Sequence, residues 1–287
     1  MSESVESFLL VCCYLVIITL ILAGIMYFFM ERQAKKLKTT FVRVADVIKN
    51  RNKMAKTIRI ALLSDFHIPQ MPPDKNALIC AVAKSSPDCV VIAGDLCESK
   101  KHWTETAELV GEIASACKCR VIIVLGNHDI RDACENNIEK IKEYRRLLES
   151  VSENVVTLID ERYVFECREA ERTILFGGLN DFRYTTSEKI TDVVRKWYNE
   201  AAYGGAEFVL LSHNPDAALL VPEDSMPSVL LSGHTHAGQM WMPFNAEFRF
   251  LRKDILPRRG YKYGLHIYDK KLPIYIITIL TLNFERR

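Results

Sequence analysis

Arg120-Val-Ile-Ile-Val-Leu-Gly-Asn-His-Asp129 decides how this chain is read. Four β-branched residues and a leucine in succession predict a strand buried on both faces. The run stops at a glycine, then offers an amide, an imidazole and a carboxylate, the side chains that hold cations or move protons. The same pattern recurs on either side. Ile58-Arg-Ile-Ala-Leu-Leu-Ser64 runs into Asp65-Phe66-His67, and Cys89-Val-Val-Ile-Ala93 runs into Gly94-Asp95. Further on, Glu207 to Leu211 leads to Ser212-His213-Asn214, and Ser228 to Leu231 leads to Gly233-His234-Thr235-His236.

Helical patterns separate the first three strands, at Asn76 to Lys84 and Trp103 to Ala116, and a long one follows from Cys134 to Ser150. Strand and helix in alternation argue for an α/β sheet covered on its faces. Val155 to Ile159, Tyr163 to Cys167 and Thr173 to Gly177 are close-spaced short strands and predict a meander or hairpins in a second sheet. A helix near Ile190 to Ala202 comes next, and Gly264 to Leu282 reads as two more strands around Lys270-Lys271, the last of them buried.

The N-terminal end is different. Phe8 to Met30 is an uncharged apolar run of 23 residues, enough to cross a bilayer core of roughly 30 Å. Its acidic start and its length favour a retained anchor over a cleaved signal peptide. Residues 31–59 then carry ten Lys or Arg against Glu31 and Asp46. Arg32, Lys35, Lys36 and Lys38 directly after the span place the C-terminal bulk in the cytoplasm by the positive-inside rule. The expected organisation is a short tail over 1–7, a transmembrane helix over 8–30, a basic juxtamembrane linker over 31–57 and one catalytic domain over 58–287. Val42, Val44, Val47 and Ile48 in the linker fall loosely on a helical period, as in an interfacial helix drawn to an anionic membrane surface; a solvated linker is the equal alternative.

Composition excludes other classes. At 287 residues, 49% apolar and 26% charged, the chain is ordinary globular material, and a net charge of +2 concentrated next to the span gives no field for nucleic acid. The nine cysteines are scattered and are expected as reduced thiols. Cys117 and Cys119, two residues apart, are a weak metal signal better read as small, partly buried residues.

Five of the seven histidines stand at the predicted strand ends; His102 and His266 do not. Carboxyl ends of strands border the ligand crevice in open α/β sheets, so these loops can converge. Each cluster alone has a plainer reading. Gly94-Asp95 is ordinary turn chemistry, and His234 and His236 share one face of an extended segment. Together they point to a metal site. Imidazole nitrogens with carboxylate and amide oxygens suit manganese, iron, zinc or cobalt, and the lack of clustered cysteine argues against closed structural zinc. Four histidines, two aspartates and one asparagine are more donors than one ion needs and suit two ions sharing a carboxylate.

This ordered set, spread from Asp65 to His236, resembles the calcineurin-like metallophosphoesterase superfamily. The resemblance implies a two-sheet αββα sandwich with a binuclear centre at the strand ends. Carried over residue by residue, it implies Asp65, His67 and His236 around one ion, Asn127, His213 and His234 around the other, and Asp95 bridging them. It makes His128 the catalytic histidine near the leaving-group oxygen, with Asp129 its orienting partner. Two divalent ions, manganese foremost, can clamp a phosphoryl group and acidify water between them. Adjacent side chains on an extended segment diverge, which leaves His128 free to act as acid if Asn127 is a ligand.

The anchor, Leu211-Ser-His-Asn-Pro-Asp216 and Gly233-His-Thr-His-Ala-Gly-Gln239 are most similar to a membrane-linked bacterial branch of that superfamily. That branch includes enzymes that cleave the diphosphate of UDP-2,3-diacylglucosamine to lipid X and UMP in lipid A synthesis. The implied substrate is therefore a lipid-linked phosphoester or diphosphate at the bacterial inner membrane; the alternatives are a general phosphodiesterase or phosphatase of nucleotides and a non-catalytic membrane-tethered interaction module. Arg183 is a candidate phosphate contact, with an exposed salt bridge as the equal alternative, and Phe182, Trp241 and Phe244 are candidates for acyl or base contact, with core packing as the commoner role of such aromatics. Members of the branch end in a glycine-containing strand and an arginine-bearing loop, and Ile274 to Arg287 departs from that.

Overall fold

The computed structural model describes residues 3–34, 37, 39–42, 58–71, 74–168, 170–181, 186–236, 248, 252–269, 271–277 and 281–284. The chain divides into two units, Met1–Lys36 and Leu37–Arg287. The first is a single helix, α1 (Glu3–Ala34). Its apolar section Ser7–Phe28 has 22 residues with no burial. At 1.5 Å per residue it rises about 33 Å, long and apolar enough to cross a membrane.

In the second unit, β2 (Ile60–Leu63), β3 (Cys89–Ala93), β4 (Arg120–Val124) and β5 (Val155–Leu158) form a parallel sheet in sequence order. Helices α2 (Lys75–Lys84), α3 (Trp103–Cys117) and α4 (Ile138–Ser150) make the crossovers. The continuous apolar runs follow from the period-2 geometry of a strand. Ala61, Leu63, Val90, Ile92, Val121 and Ile123 pack with the helices on one face. Ile60, Leu62, Val91, Ile122 and Val124 face the other way, into a core shared with the second sheet.

That sheet has six strands in the order β10-β11-β9-β8-β7-β6. They are β6 (Glu161–Cys167), β7 (Arg172–Leu179), β8 (Glu207–Ser212), β9 (Val229–Ser232), β10 (Gly264–Tyr268) and β11 (Leu272–Ile276). Phe176, Val209, Leu211, Leu231 and Tyr275 meet the first sheet. Ile190, Val194, Trp197 and Ala201 of α5 (Ser187–Tyr203) cover the outer face. The result is the αββα sandwich.

Three expectations change. β5 belongs to the first sheet, parallel to β4, because α4 carries the chain back across it; the hairpin of the second sheet is β6 and β7 alone. The long helix starts at Ile138 rather than Cys134. A π turn occupies Asp129–Ala133, Glu135 and Asn136 are left-handed, and Asn137 caps the helix by accepting from the Glu139 and Lys140 amides. The basic stretch contains a strand, β1 (Thr39–Val42), paired in parallel with β12 (Thr281–Phe284). Of the helical-period residues only Val42 is described, and it lies in that strand. The C-terminal segment is thus β10 and a buried β11 in an antiparallel pair, followed by β12 in a separate two-stranded sheet. A short helix, α6 (Ile255–Arg258), precedes β10.

Candidate metal centre

Every expected site residue sits just beyond the carboxyl end of a strand. Asp65 and His67 follow β2, Asp95 follows β3, Asn127 and His128 follow β4, His213 follows β8, and His234 and His236 follow β9. Asp65, His67, Asp95, His234 and His236 hold φ between 48° and 72°. This left-handed region is unfavourable for residues other than glycine and is sustained only where the surroundings over-determine it. Close approach explains two of the motif glycines. A Cβ on Gly126 would collide with the Asp95 carboxylate, and one on Gly233 with the Ser64 hydroxyl.

Among the described residues, two of three candidate clusters share Asp95, and the third is His67, Glu98 and His128. Asp65, His67, Asp95 and His236 bring ligand atoms within 4.8 Å of one another, as do Asp95, His213 and His234. In the first, His67 Nε2 and His236 Nε2 are 3.0 Å apart, and they lie 3.9 and 3.5 Å from Asp65 Oδ1. In the second, His213 Nε2 is 3.0 Å from Asp95 Oδ2 and 3.1 Å from His234 Nδ1. His213 Nδ1 donates to the Ala93 carbonyl (2.7 Å), which turns Nε2 inward. Asp65 Oδ2, Asp95 Oδ2 and Asn127 Oδ1 are buried oxygens that accept no hydrogen bond. His213 Nε2 meets Asp95 Oδ2 as an ion-pair contact. Orphaned oxygens are costly unless something satisfies them, and three of them among clustered imidazoles fit divalent cations.

Electrostatics agree. Burial would raise the Asp95 carboxyl, but the His213 imidazole, with His67 and His128 beyond, holds it well below the usual carboxylate range. Burial in turn lowers His213, yet Asp95 and then Asp65 push it up to about 10.

His128 stands beside the clusters. Its backbone N–H donates to Asp95 Oδ1 (2.8 Å), and its Nδ1 faces Glu98 Oε2 at 2.9 Å and Asp132 Oδ2 at 2.8 Å. Glu98 also accepts from His67 Nδ1 through its other oxygen. The expected orienting partner, Asp129, is elsewhere. Its Oδ1 accepts from the Leu96 and Cys97 amides and its Oδ2 from the Gly126 amide, so it ties the loop after β3 to the loop after β4. Burial and the Asp95 charge push its carboxyl up to about 7. The residue beside the imidazole comes from the preceding loop instead, because Asp129 is fully buried and committed to main-chain donors.

Comparison with known proteins decides the family. A model described as calcineurin-like phosphoesterase matches residues 58–238. The chain belongs to that family. It is 26% identical over 226 residues to the uncharacterized metallophosphoesterase YkoQ of Bacillus subtilis, covering 77% of this chain and 75% of that one. It is 25% identical over 245 residues to the uncharacterized metallophosphoesterase Cj0846 of Campylobacter jejuni, covering 84% and 58%. A Danio rerio transmembrane protein with metallophosphoesterase domain is 30% identical over 190 residues, covering 64% and 41%. The chain thus spans about half the length of two of these relatives and three quarters of the third. A candidate metal site of Asp and His residues in this family is consistent with phosphoester hydrolysis.

Sequence reasoning missed three carboxylates of this phosphoesterase. Glu98 was visible only as an acid three residues after Asp95, and Asp132 as one four residues after His128. Asp254 had no local signal. It reaches the centre across the fold: Asp254 Oδ1 lies 3.1 Å from His234 Nε2 and accepts from Asn214 Nδ2 at 3.2 Å. Burial opposes its charge, but the His234 hydrogen bond brings its carboxyl down to about 2. Asp216 fixes this loop by accepting from the Ile255 and Leu256 amides (2.6 and 2.7 Å). A carboxylate on the far ring nitrogen orients a histidine and raises its basicity. Asp254→Asn is therefore expected to weaken binding of one of two metal ions roughly 10- to 100-fold. Titration of Mn²⁺ followed by elemental analysis measures it, and unchanged occupancy would refute the role.

Phe182, Arg183, Trp241 and Phe244 lie outside the described residues. The cysteines are free thiols. Burial pushes the Cys97 thiol up to about 12, and it hydrogen-bonds Tyr144, so it is packing. Cys117 and Cys119 pack against the helix-side core.

Proposed function

We propose that the chain is a membrane-anchored binuclear phosphoester hydrolase whose substrate is held in the same bilayer. The observation that carries this is Asp95, a member of two candidate ligand clusters, with the buried oxygens Asp65 Oδ2, Asp95 Oδ2 and Asn127 Oδ1 accepting no hydrogen bond. Asp65, His67 and His236 would hold one divalent ion, Asn127, His213 and His234 the other, and Asp95 would contribute to both. The O and N donor set suits Mn²⁺, with iron, zinc or cobalt as alternatives. Ions bound there supply charge neutralisation at the phosphoryl group and acidify water.

The protein's own groups do the rest. Asp95 Oδ1 fixes the His128 backbone, so the imidazole is placed from the bridging carboxylate itself. Glu98 and Asp132 accept from Nδ1–H, which leaves Nε2–H to donate to the departing oxygen.

The substrate reading rests on the anchor. A tether raises effective concentration only towards something confined to the same surface, which favours a lipid-linked phosphoester or diphosphate. UDP-2,3-diacylglucosamine, giving lipid X and UMP, is the specific candidate. The matching location is the bacterial inner membrane, with one span and the catalytic unit on the cytoplasmic side. The full chain in detergent, loaded with Mn²⁺, is expected to release UMP from UDP-2,3-diacylglucosamine, and chelation to stop it. Hydrolysis of bis(p-nitrophenyl) phosphate without UMP release would remove this substrate and keep the hydrolase.

A further inference from the structure

Cys117 closes α3 and Cys119 leads into β4, with Lys118 between them as the left-handed helix cap (φ 52°, ψ 34°), its N–H donating to the Ala114 carbonyl. A residue coiled this tightly keeps the Cα atoms on either side of it within the roughly 4.4–6.8 Å that a disulfide spans. Both cysteines are half-buried and reach solvent, and Lys118 is exposed. Cys119 gives its S–H to the Cys117 sulfur, a hydrogen bond that draws the Cys117 thiol down and pushes the Cys119 thiol up.

The remaining thiols are placed differently. Cys89, Cys97, Cys134 and Cys167 are buried, and burial pushes the thiols of the first three up. Cys12 and Cys13 lie in the apolar helix, and Cys80 is exposed on α2. Among the described residues no third His, Cys, Asp or Glu atom completes a metal group with Cys117 and Cys119. A closed zinc site needs four ligands, so two sulfurs alone suit pairing with each other. They stand at the amino end of β4, whereas Asn127 and His128 follow its carboxyl end.

We propose that Cys117 and Cys119 are a redox-active dithiol, Cys117 the attacking and Cys119 the resolving sulfur, oxidised by small disulfides of the glutathione class. The Cys117 thiolate attacks one sulfur of the oxidant, which forms a mixed disulfide and releases the first small thiolate. Cys119 then attacks the Cys117 sulfur, closes the 117–119 disulfide and expels the second. The protons of both cysteines end on the two released thiols, and the electron pair lost by the dithiol reduces the oxidant. A ring closed over one intervening residue is strained, and strained, accessible disulfides are readily reduced. The pair therefore stays reduced under reducing conditions and closes only when the surrounding disulfide pool rises. This assignment does not depend on the hydrolase reading.

The full chain in detergent, first reduced, is equilibrated with glutathione buffers of rising disulfide content, quenched with acid, alkylated with N-ethylmaleimide and digested with trypsin. Trypsin cuts after Lys118, so mass spectrometry finds the two fragments joined only by a 117–119 disulfide. Joined fragments are expected before any buried thiol is lost, and reduced glutathione should separate them again. Cys119→Ser should leave glutathione trapped on Cys117. Cys117→Ser should capture glutathione at Cys119 about 10-fold more slowly or less, because attack follows the thiolate. Separately alkylated fragments from the unaltered chain in fully oxidised glutathione overturn the pair, whatever the variants do. Equal capture rates in the two variants overturn the assignment of Cys117 as the attacking sulfur.

Discussion

Asp95→Asn is expected to abolish hydrolysis, with a loss of roughly 10³-fold or more, the scale on which electrostatic and Lewis-acid stabilisation of the transition state acts. Asp95 is 1% exposed, belongs to both clusters, and fixes the His128 backbone through its other oxygen. Asparagine keeps the shape and the acceptor for the His128 amide but removes the charge that two ions would share. Metal content after Mn²⁺ loading is expected to fall from two ions per chain to one or fewer. Bis(p-nitrophenyl) phosphate turnover and elemental analysis on the same preparation check both numbers. Full activity with two ions retained would mean that Asp95 is a structural carboxylate and that the clusters are separate.

His128→Ala should separate acid catalysis from metal binding. His128 lies outside both clusters that contain Asp95, so two ions should remain. The rate for alkyl esters should fall about 10²- to 10⁴-fold, the range of a positioned general acid. Esters of p-nitrophenol, whose leaving group needs no proton, should lose much less. Equal losses for both would show that His128 positions the substrate rather than protonating its leaving group.

The sandwich was legible because burial on both faces leaves a mark in sequence. Runs such as Cys89–Ala93 and Arg120–Val124 have almost no polar side chain, and parallel strands under helices give that pattern. The convergence of donors was legible for a related reason: catalytic loops follow strands, and the strand ends could be counted. Two kinds of information were out of reach. The left-handed backbone at His67, His234 and His236 has no compositional signature, since glycine normally marks such φ values and here histidine occupies them. Partners across the fold were equally hidden. Asp129 looked like the natural neighbour of His128 in sequence, but the turn that starts there buries its carboxylate against three main-chain amides. Glu98 and Asp254 take the roles beside histidines from loops that only the topology brings near. β1 was hidden by its surroundings, a strand of four residues inside a basic stretch, made possible by β12 more than 200 positions later.

The centre draws on both sheets: Asp65, His67, Asp95 and Asn127 follow strands of one, His213, His234 and His236 strands of the other. Even the protein's own bonds cross there, from His213 to the Ala93 carbonyl and from the His234 amide to Asp65. A cation seated in this seam acts as a rivet between the halves of the sandwich, and any species that binds only the folded form adds to its resistance to unfolding. Stripping the ions would then loosen the join along which the two layers meet, so that starvation for metal reaches the architecture as well as the chemistry.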